Sequence, residues 1–266
     1  MNPLFKEIST KDANYLINYI IMTLHEELNK AENNNLNDNK IIDQSNQMEV
    51  FQNFTKEFIS KNKSIISDLF FAINCNITEC GNCHLKLYNY QIYFFLQFPL
   101  EEVLKFKKQS YNINIIDNNV VYIYDCFNYD KNVNVMSGDN AIFCNYCNMV
   151  CNSYMYTYLV TGPDIFILFL HREKEVKLNV KVIIEENLNL FNYIEYKNTG
   201  FNYKLIGVIT SIGESGLDEH FIAYCRDPIS EKWYKYNDAI VTEVNNFQSE
   251  VLNFGIPFLL FYQKIN

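Results

Sequence analysis

The chain has 266 residues, of which 48% are hydrophobic, so it is long enough for one large domain or two small ones. Its formal net charge of -9 argues against nucleic acid as a partner, because phosphate binding needs clustered Lys and Arg. The longest apolar runs are too short to cross a bilayer, and the first residues lack the apolar core of a secretory signal. We therefore expect no membrane partner and a location in the cytoplasm, the nucleus or both. There, eight cysteines suit metal binding or catalysis better than disulfides.

The first elements predicted along the chain are two helices. A capping-box pattern begins at Ser9, and apolar residues then recur at helical spacing over residues 17–28, which predicts a well-buried helix. His25 on this helix is interpreted as an ordinary surface residue. Residues 31–47 are rich in Asn and Asp without an apolar period, which predicts a loosely held insertion. A second helix is predicted over residues 48–60, with three phenylalanines on one face.

Two Cys-x-x-Cys pairs follow, and their four thiols are a candidate metal site. Four thiolates in a reducing compartment suit a closed tetrahedral zinc site that stabilises structure. The first pair precedes a histidine and also fits a haem-attachment motif, but the second pair and the lack of a recognised export signal favour zinc. Four free thiols remain the other alternative, and Cys151 could substitute for one ligand. The predicted zinc ligands are Cys80, Cys83, Cys144 and Cys147.

Apolar patterns predict strands over residues 90–98, 120–124 and 162–172, the last of them buried on both faces. Further along, His220 opens a short aromatic-rich strand, and Asn237 ends the next strand. The two residues are 17 positions apart, about one β-hairpin, so the turn can bring their side chains to the same end of a sheet. A histidine oriented by an asparagine or aspartate is the base half of a cysteine-hydrolase site.

Several segments resemble the ubiquitin-specific proteases, which cleave ubiquitin from proteins with a Cys-His-Asp/Asn triad. The resemblance implies an α+β, papain-like fold with a helical thumb that is incomplete here, zinc-binding fingers and a β-rich palm. The similar segments are the helix at residues 11–29, the strand at 162–172, and the histidine box and C-terminal strands at 203–208, 219–225, 233–244 and 257–262.

The resemblance divides the chain into a partial thumb at residues 1–70, fingers at 71–160 and a palm at 161–266. It also implies that the two Cys-x-x-Cys pairs hold structural zinc in the fingers, and that the partner is ubiquitin or a ubiquitinated protein.

Individual roles follow from the same resemblance. It implies His220 as the general base and Asn237 as the residue that orients its ring, with Asp238 beside them. Glu219 is a departure, because the family usually has glycine immediately before the histidine. A side chain at this position could crowd the approach of the ubiquitin tail.

The family's nucleophile has no recognised counterpart in these residues. In the family it lies in an N-terminal box of the form Gly-Asn-Thr-Cys, whereas here no cysteine precedes Cys75, which lies at the entry to the predicted fingers. Three hypotheses follow. The chain is part of a working deubiquitinase, or a pseudoenzyme that still binds ubiquitin, or a zinc-stabilised interaction domain.

Overall fold

The protein has an α+β fold, as the sequence predicts. The computed structural model describes residues 13–31, 42–110, 119–172, 180–196, 200–212 and 220–265. None of the helices in these segments is long and apolar enough to span a membrane. The helices are α1 Ala13–Leu28, α2 Gln47–Lys61, α3 Ile65–Phe70, α4 Leu100–Ser110, α5 Ile123–Asp130 and α6 Phe247–Phe254.

The strands form an eight-stranded sheet, a four-stranded sheet and two short two-stranded sheets. In chain order the strands are β1 Ala72–Cys80, β2 Lys86–Tyr93, β3 Leu96–Pro99, β4 Val120–Tyr122, β5 Asn134–Met136, β6 Ile142–Cys144, β7 Met149–Cys151, β8 Ser153–Leu159, β9 Ile165–His171, β10 Lys181–Ile183, β11 Asn187–Asn189, β12 Asn202–Ile212, β13 His220–Arg226, β14 Trp233–Asn237, β15 Ile240–Val244 and β16 Ile256–Ile265.

The eight-stranded sheet carries the main hydrophobic core. Its order is β15-β14-β13-β12-β16-β9-β3, and β11 joins it by pairing with β12. Residues 166–170 of β9 are each no more than 6% exposed, which confirms the buried strand predicted over residues 162–172. Tyr203 of β12 is fully buried, and its hydroxyl donates to the carbonyl oxygen of Pro163 over 3.0 Å.

The four-stranded sheet, in the order β2-β1-β8-β5, packs against α2. The helix predicted over residues 48–60 is confirmed by α2, and its phenylalanines face this sheet. The rings of Phe51 and Phe54 lie 5.0 Å and 6.0 Å from the ring of Tyr90, measured between centroids. Aromatic contacts of this kind add to the stabilisation that area burial gives.

Helix α1 is present as predicted, but the expectation that it is well buried is wrong. It packs against α3, which has only six residues and therefore covers one side of it. The capping box at Ser9 lies outside the described residues, as does most of the predicted insertion at residues 31–47. Four large apolar residues of α1 are more than a third exposed: Tyr15, Ile20, Leu24 and Leu28.

His25 is not the surface residue that the sequence suggested. It is only 6% exposed, and its Nδ1 lies 2.8 Å from the hydroxyl oxygen of Ser64. Ser64 also caps α3, because its hydroxyl accepts from the backbone N–H of Ser67 over 3.0 Å. The imidazole packs on Phe71 with ring centroids 4.7 Å apart. A buried polar ring is tolerated here because α3 supplies its hydrogen-bond partner.

Two predicted strands are arranged differently. The strand expected over residues 90–98 is two strands, since β2 ends at Tyr93 in the four-stranded sheet and β3 begins at Leu96 in the eight-stranded sheet. The strand expected over residues 120–124 is cut short, because α5 begins at Ile123. Its remainder, β4, pairs with β10 in a separate two-stranded sheet. Alternation of apolar residues indicates an extended chain, but it does not indicate which sheet that chain joins.

Gly162 is predicted to be intolerant of a side chain. A Cβ there would lie 2.2 Å from the Tyr203 hydroxyl oxygen, which is already held by Pro163. We expect Gly162→Ala to lower the free energy of unfolding by about 1–3 kcal/mol, measured by urea denaturation, because the core must shift to admit the methyl group. In a Tyr203→Phe background the same substitution should cost less, since the clashing oxygen is gone. An equal cost in both backgrounds would contradict this explanation.

Candidate active site and metal centre

His220 and Asn237 meet at one end of the eight-stranded sheet. His220 opens β13 opposite Ile212 of β12, and Asn237 closes the neighbouring β14. In the β13–β14 register Ala223 lies opposite Tyr236, which is the last pair of this ladder. The side chains of His220 and Asn237 therefore both lie at the end of the ladder. The structure brings His220 Nε2 to within 2.6 Å of Asn237 Oδ1.

The position of β14 depends on an aromatic stack. The Trp233 ring, at the start of β14, stacks on Phe247 of α6 with centroids 3.9 Å apart and planes 13° from parallel. Lys235 of the same strand forms an ion pair of 3.0 Å with Glu250 of α6. The helix therefore holds the strand that presents Asn237.

The hydrogen bond determines which ring nitrogen of His220 is free to accept a proton. An amide oxygen is an acceptor, so the Nε2 that faces it carries the hydrogen. Nδ1 is then left with a lone pair and can act as a base. The His220 side chain is 44% exposed, so a reacting group can approach the ring.

Asp238 lies beside the pair without replacing Asn237. Its Oδ2 is 4.0 Å from His220 Nε2, and its side chain is 83% exposed. Asp238 has a backbone φ of +51° in the tight turn that joins Asn237 to Ile240. Solvent screens the charge of so exposed a carboxylate.

None of the eight cysteines, all of which lie in described segments, is hydrogen-bonded to His220. Cys75 lies in the middle of the four-stranded sheet, where it pairs with Tyr90 of β2 and Tyr158 of β8. It is fully buried, and burial raises the pKa of its thiol. Cys75 is therefore held as a thiol within a different sheet from the His220–Asn237 pair.

The four predicted metal ligands do come together. The ligand atoms of Cys80, Cys83, Cys144 and Cys147 all lie within 4.8 Å of one another. The sulfur of Cys80 is 3.9 Å from that of Cys147, and the sulfur of Cys83 is 3.7 Å from that of Cys144. These distances are far longer than a disulfide bond of about 2.05 Å.

Each pair of cysteines occupies a tight turn. In the first turn, the backbone N–H groups of Cys83 and Asn82 lower the pKa of Cys80 to about 6, because they stabilise its thiolate. Gly81 is needed there, since an added Cβ would lie 2.8 Å from the carbonyl oxygen of Asn152. In the second turn, which joins β6 to β7, the backbone N–H of Cys147 lies 3.5 Å from the sulfur of Cys144.

Asn82 is a member of this site that the sequence reading did not single out. Its side-chain nitrogen lies 3.3 Å from the sulfur of Cys147, so it links the first turn to the second. The only sequence signal for Asn82 is its position between the two cysteines of the first pair. Such a spacing pattern does not show where the side chain points.

The imidazole–amide pair therefore lies at the end of one sheet, and the four-cysteine cluster lies apart from it in the same α+β fold. Residues 1–262 match the family model described as ubiquitin carboxyl-terminal hydrolase, and the chain belongs to this family.

Individual relatives agree with this assignment. Ubiquitin carboxyl-terminal hydrolase 2 of Rattus norvegicus is 22% identical over 271 residues, which are 98% of this chain and 40% of that protein. Ubiquitin carboxyl-terminal hydrolase Usp2 of Drosophila melanogaster is 22% identical over 275 residues, 98% of this chain and 26% of that protein. Ubiquitin carboxyl-terminal hydrolase 48 of Rattus norvegicus is 30% identical over 139 residues, 50% of this chain and 13% of that protein. The chain thus spans less than half the length of these relatives.

The tautomer of His220 provides a test of the site geometry. We expect nitrogen-15 NMR above the His titration range to show hydrogen on Nε2 in the unmodified protein. Asn237→Ala removes the acceptor and should shift population toward the Nδ1–H form. Asp238→Asn is the matched control and should leave the tautomer unchanged, because Asp238 is farther away. A tautomer that is insensitive to Asn237→Ala would contradict the hydrogen bond.

Proposed function

We propose that this domain acts in deubiquitination, through thiol-dependent hydrolysis of the isopeptide bond at the ubiquitin C terminus. The observation that carries the proposal is the 2.6 Å pair of His220 and Asn237 in a member of this family. The substrates are ubiquitinated proteins, in the cytoplasm, the nucleus or both. Eight unpaired cysteines support such a reducing compartment.

The geometry supports a different role for each of the polar side chains: Asn237 orients the ring of His220, and His220 transfers protons. Asn237 holds the ring through Nε2, which leaves Nδ1 to take the proton of a reacting thiol. The thiolate attacks the isopeptide carbonyl carbon, and the imidazolium returns the proton to the departing lysine amine. Water then hydrolyses the thioester, with the same ring as base. Asp238 favours the transient imidazolium from 4.0 Å away.

A second candidate function is ubiquitin recognition without hydrolysis. The observation that favours it is that none of the eight cysteines, all of them in described segments, is hydrogen-bonded to His220. In this case the two sheets bind ubiquitin, and the hydrogen bond between His220 and Asn237 only stabilises the fold. The two functions differ in turnover but share the partner.

Turnover of a fluorogenic ubiquitin-tail substrate separates the two functions. If the chain hydrolyses it, we expect alkylation to abolish activity and His220→Ala to lower kcat/KM by about 10²–10⁴-fold, because the general base is lost. Asn237→Ala should give a smaller loss.

The control is Cys225→Ser, which changes an exposed thiol away from the pair and should keep full activity. Turnover that survives His220→Ala would contradict the role of His220. Binding in a calorimetric ubiquitin titration, without turnover, would favour the second candidate. Loss of turnover in Cys75→Ser with an unchanged fold would identify Cys75 as the nucleophile.

We further propose that the four-cysteine cluster holds a structural zinc ion. Sulfurs about 2.3 Å from a tetrahedral zinc lie roughly 3.8 Å from one another, which agrees with the observed 3.7 Å and 3.9 Å. Four thiolates leave no open position for substrate, so the ion would supply cross-linking rather than chemistry. It would tie the end of β1 to the β6–β7 hairpin.

Zinc removal should therefore disorder the finger region more than the His220 site. We expect about one equivalent of zinc in freshly purified protein by mass spectrometry, as for a closed four-thiolate site. Cys80→Ser combined with Cys144→Ser should lose it, and the thermal midpoint should fall, because metal binding and folding are coupled. Cys225→Ser should retain the metal. Protein that folds without any metal would refute the assignment.

A further inference from the structure

Strand β15 forms one edge of the eight-stranded sheet and pairs with β14 on one side only. No other described strand pairs with it, so its outer side is open within the described part of the chain. Four of its five residues are exposed, among them Ile240 at 64% and Val241 at 53%. An open row of backbone donors and acceptors is a template on which another strand can pair.

The turn between β14 and β15 determines which backbone groups face outward. Asn237 and Ile240 are opposite each other with two residues between them, so they form the hydrogen-bonded pair that closes the hairpin. Hydrogen-bonded and non-hydrogen-bonded pairs alternate along an antiparallel ladder. Thr242 therefore bonds to β14, whereas Val241 and Glu243 direct their N–H and C=O groups to the open side.

Little protects this edge from a second strand. Sheet edges in proteins are usually guarded by prolines, bulges or charged side chains. Strand β15 contains no proline, its register with β14 is continuous, and its single charged residue is Glu243. The carboxylate of Glu243 is already paired with Lys232, whose Nζ lies 2.8 Å away. The other four residues are Ile, Val or Thr, which favour strands.

We propose that β15 is a dimerisation edge, which binds the β15 of a second copy of this chain in antiparallel orientation. With Thr242 on the two-fold axis, Val241 of each copy lies opposite Glu243 of the other. These are the two residues whose backbone groups point outward, so each of the two pairs exchanges two hydrogen bonds. Ile240 then lies opposite Val244, which brings β-branched side chains together.

The charges and the strand length favour this register. Each Glu243 faces Val241 of the other copy and keeps its ion pair with Lys232, so no like charges are opposed. All five residues of both strands are paired. A shift that placed Glu243 opposite Glu243 would bring two carboxylates together and would also leave strand residues unpaired.

The pairing joins two eight-stranded sheets into one continuous sheet with two-fold symmetry. Only five residues of each strand take part, which is far fewer than a standard protein interface uses, so the dimer should dissociate on dilution. Strand β14, which ends at Asn237, then lies one strand further from the open edge. Dimerisation would therefore restrain the hairpin that presents Asn237.

Sedimentation equilibrium over a wide range of protein concentration tests the proposal. We expect a reversible monomer–dimer equilibrium in the unmodified protein. Val241→Glu should raise the dimer dissociation constant roughly tenfold, because like charges then face each other twice. Val241→Lys should lower it, since the lysine faces Glu243 of the other copy. Unmodified protein that stays monomeric at every concentration would overturn the proposal, and so would equal weakening by both variants.

Val241→Pro tests the backbone contribution without disturbing the monomer. The N–H of Val241 points to the open side, so proline removes a donor from the edge but no hydrogen bond to β14. This variant should lose dimerisation and keep the thermal midpoint of the diluted protein. The matched control is Ile229→Lys, since Ile229 is 92% exposed in the neighbouring turn and its substitution should leave the dissociation constant unchanged. A dimer that survives Val241→Pro would refute the edge contact.

NMR locates the contact residue by residue. In a mixture of labelled and unlabelled protein, the Hα atoms of Thr242 in the two copies should show an intermolecular contact, as expected for a non-hydrogen-bonded pair. The amides of Val241 and Glu243 should exchange more slowly as the concentration rises, whereas that of Thr242 is protected throughout. A dimer without these changes would show that another surface is used. None of these measurements requires turnover, so a failure here leaves the proposed hydrolysis untouched, and the reverse also holds.

Discussion

The pairing of β13 with β14 is the contact on which the candidate active site depends. Side chains alternate between the faces of a strand, so a shift of one residue in this register would turn Asn237 away from His220. Register is set by the buried side of the ladder, where Tyr224 is fully buried and Trp233 stacks on Phe247. The polar pair is thus positioned by apolar packing on the same two strands.

A similar dependence links the cysteine cluster to the four-stranded sheet. One turn follows β1 and the other joins β6 to β7, and the two Cys-x-x-Cys pairs are far apart in sequence. Their meeting requires β8 to pair with β1, which places Ser153 opposite Cys80. A zinc ion there would reinforce an arrangement that the sheet has already produced.

The separation of thiols from the histidine has a structural origin. Cys75 and Cys80 lie on β1 of the four-stranded sheet and Cys83 in the turn after it, whereas Cys144, Cys147 and Cys151 belong to the separate β6–β7 hairpin. His220 belongs to the eight-stranded sheet. Cys126 is buried in α5, and Cys225 is exposed on β13 at some distance along the strand from His220. The fold therefore holds an imidazole–amide pair at one site and a cluster of four thiols at another.

The sequence alone determined which residue types occupy each element. His220 at the start of a strand, Asn237 at the end of the next, each Cys-x-x-Cys turn and the buried strand at residues 162–172 could be predicted, because these patterns depend on neighbours in the chain. Burial of His25, the division of residues 90–98 between two sheets and the contact of Asn82 with Cys147 could not. Each of these depends on segments that are distant in sequence, and only the packing of the folded chain decided how they meet.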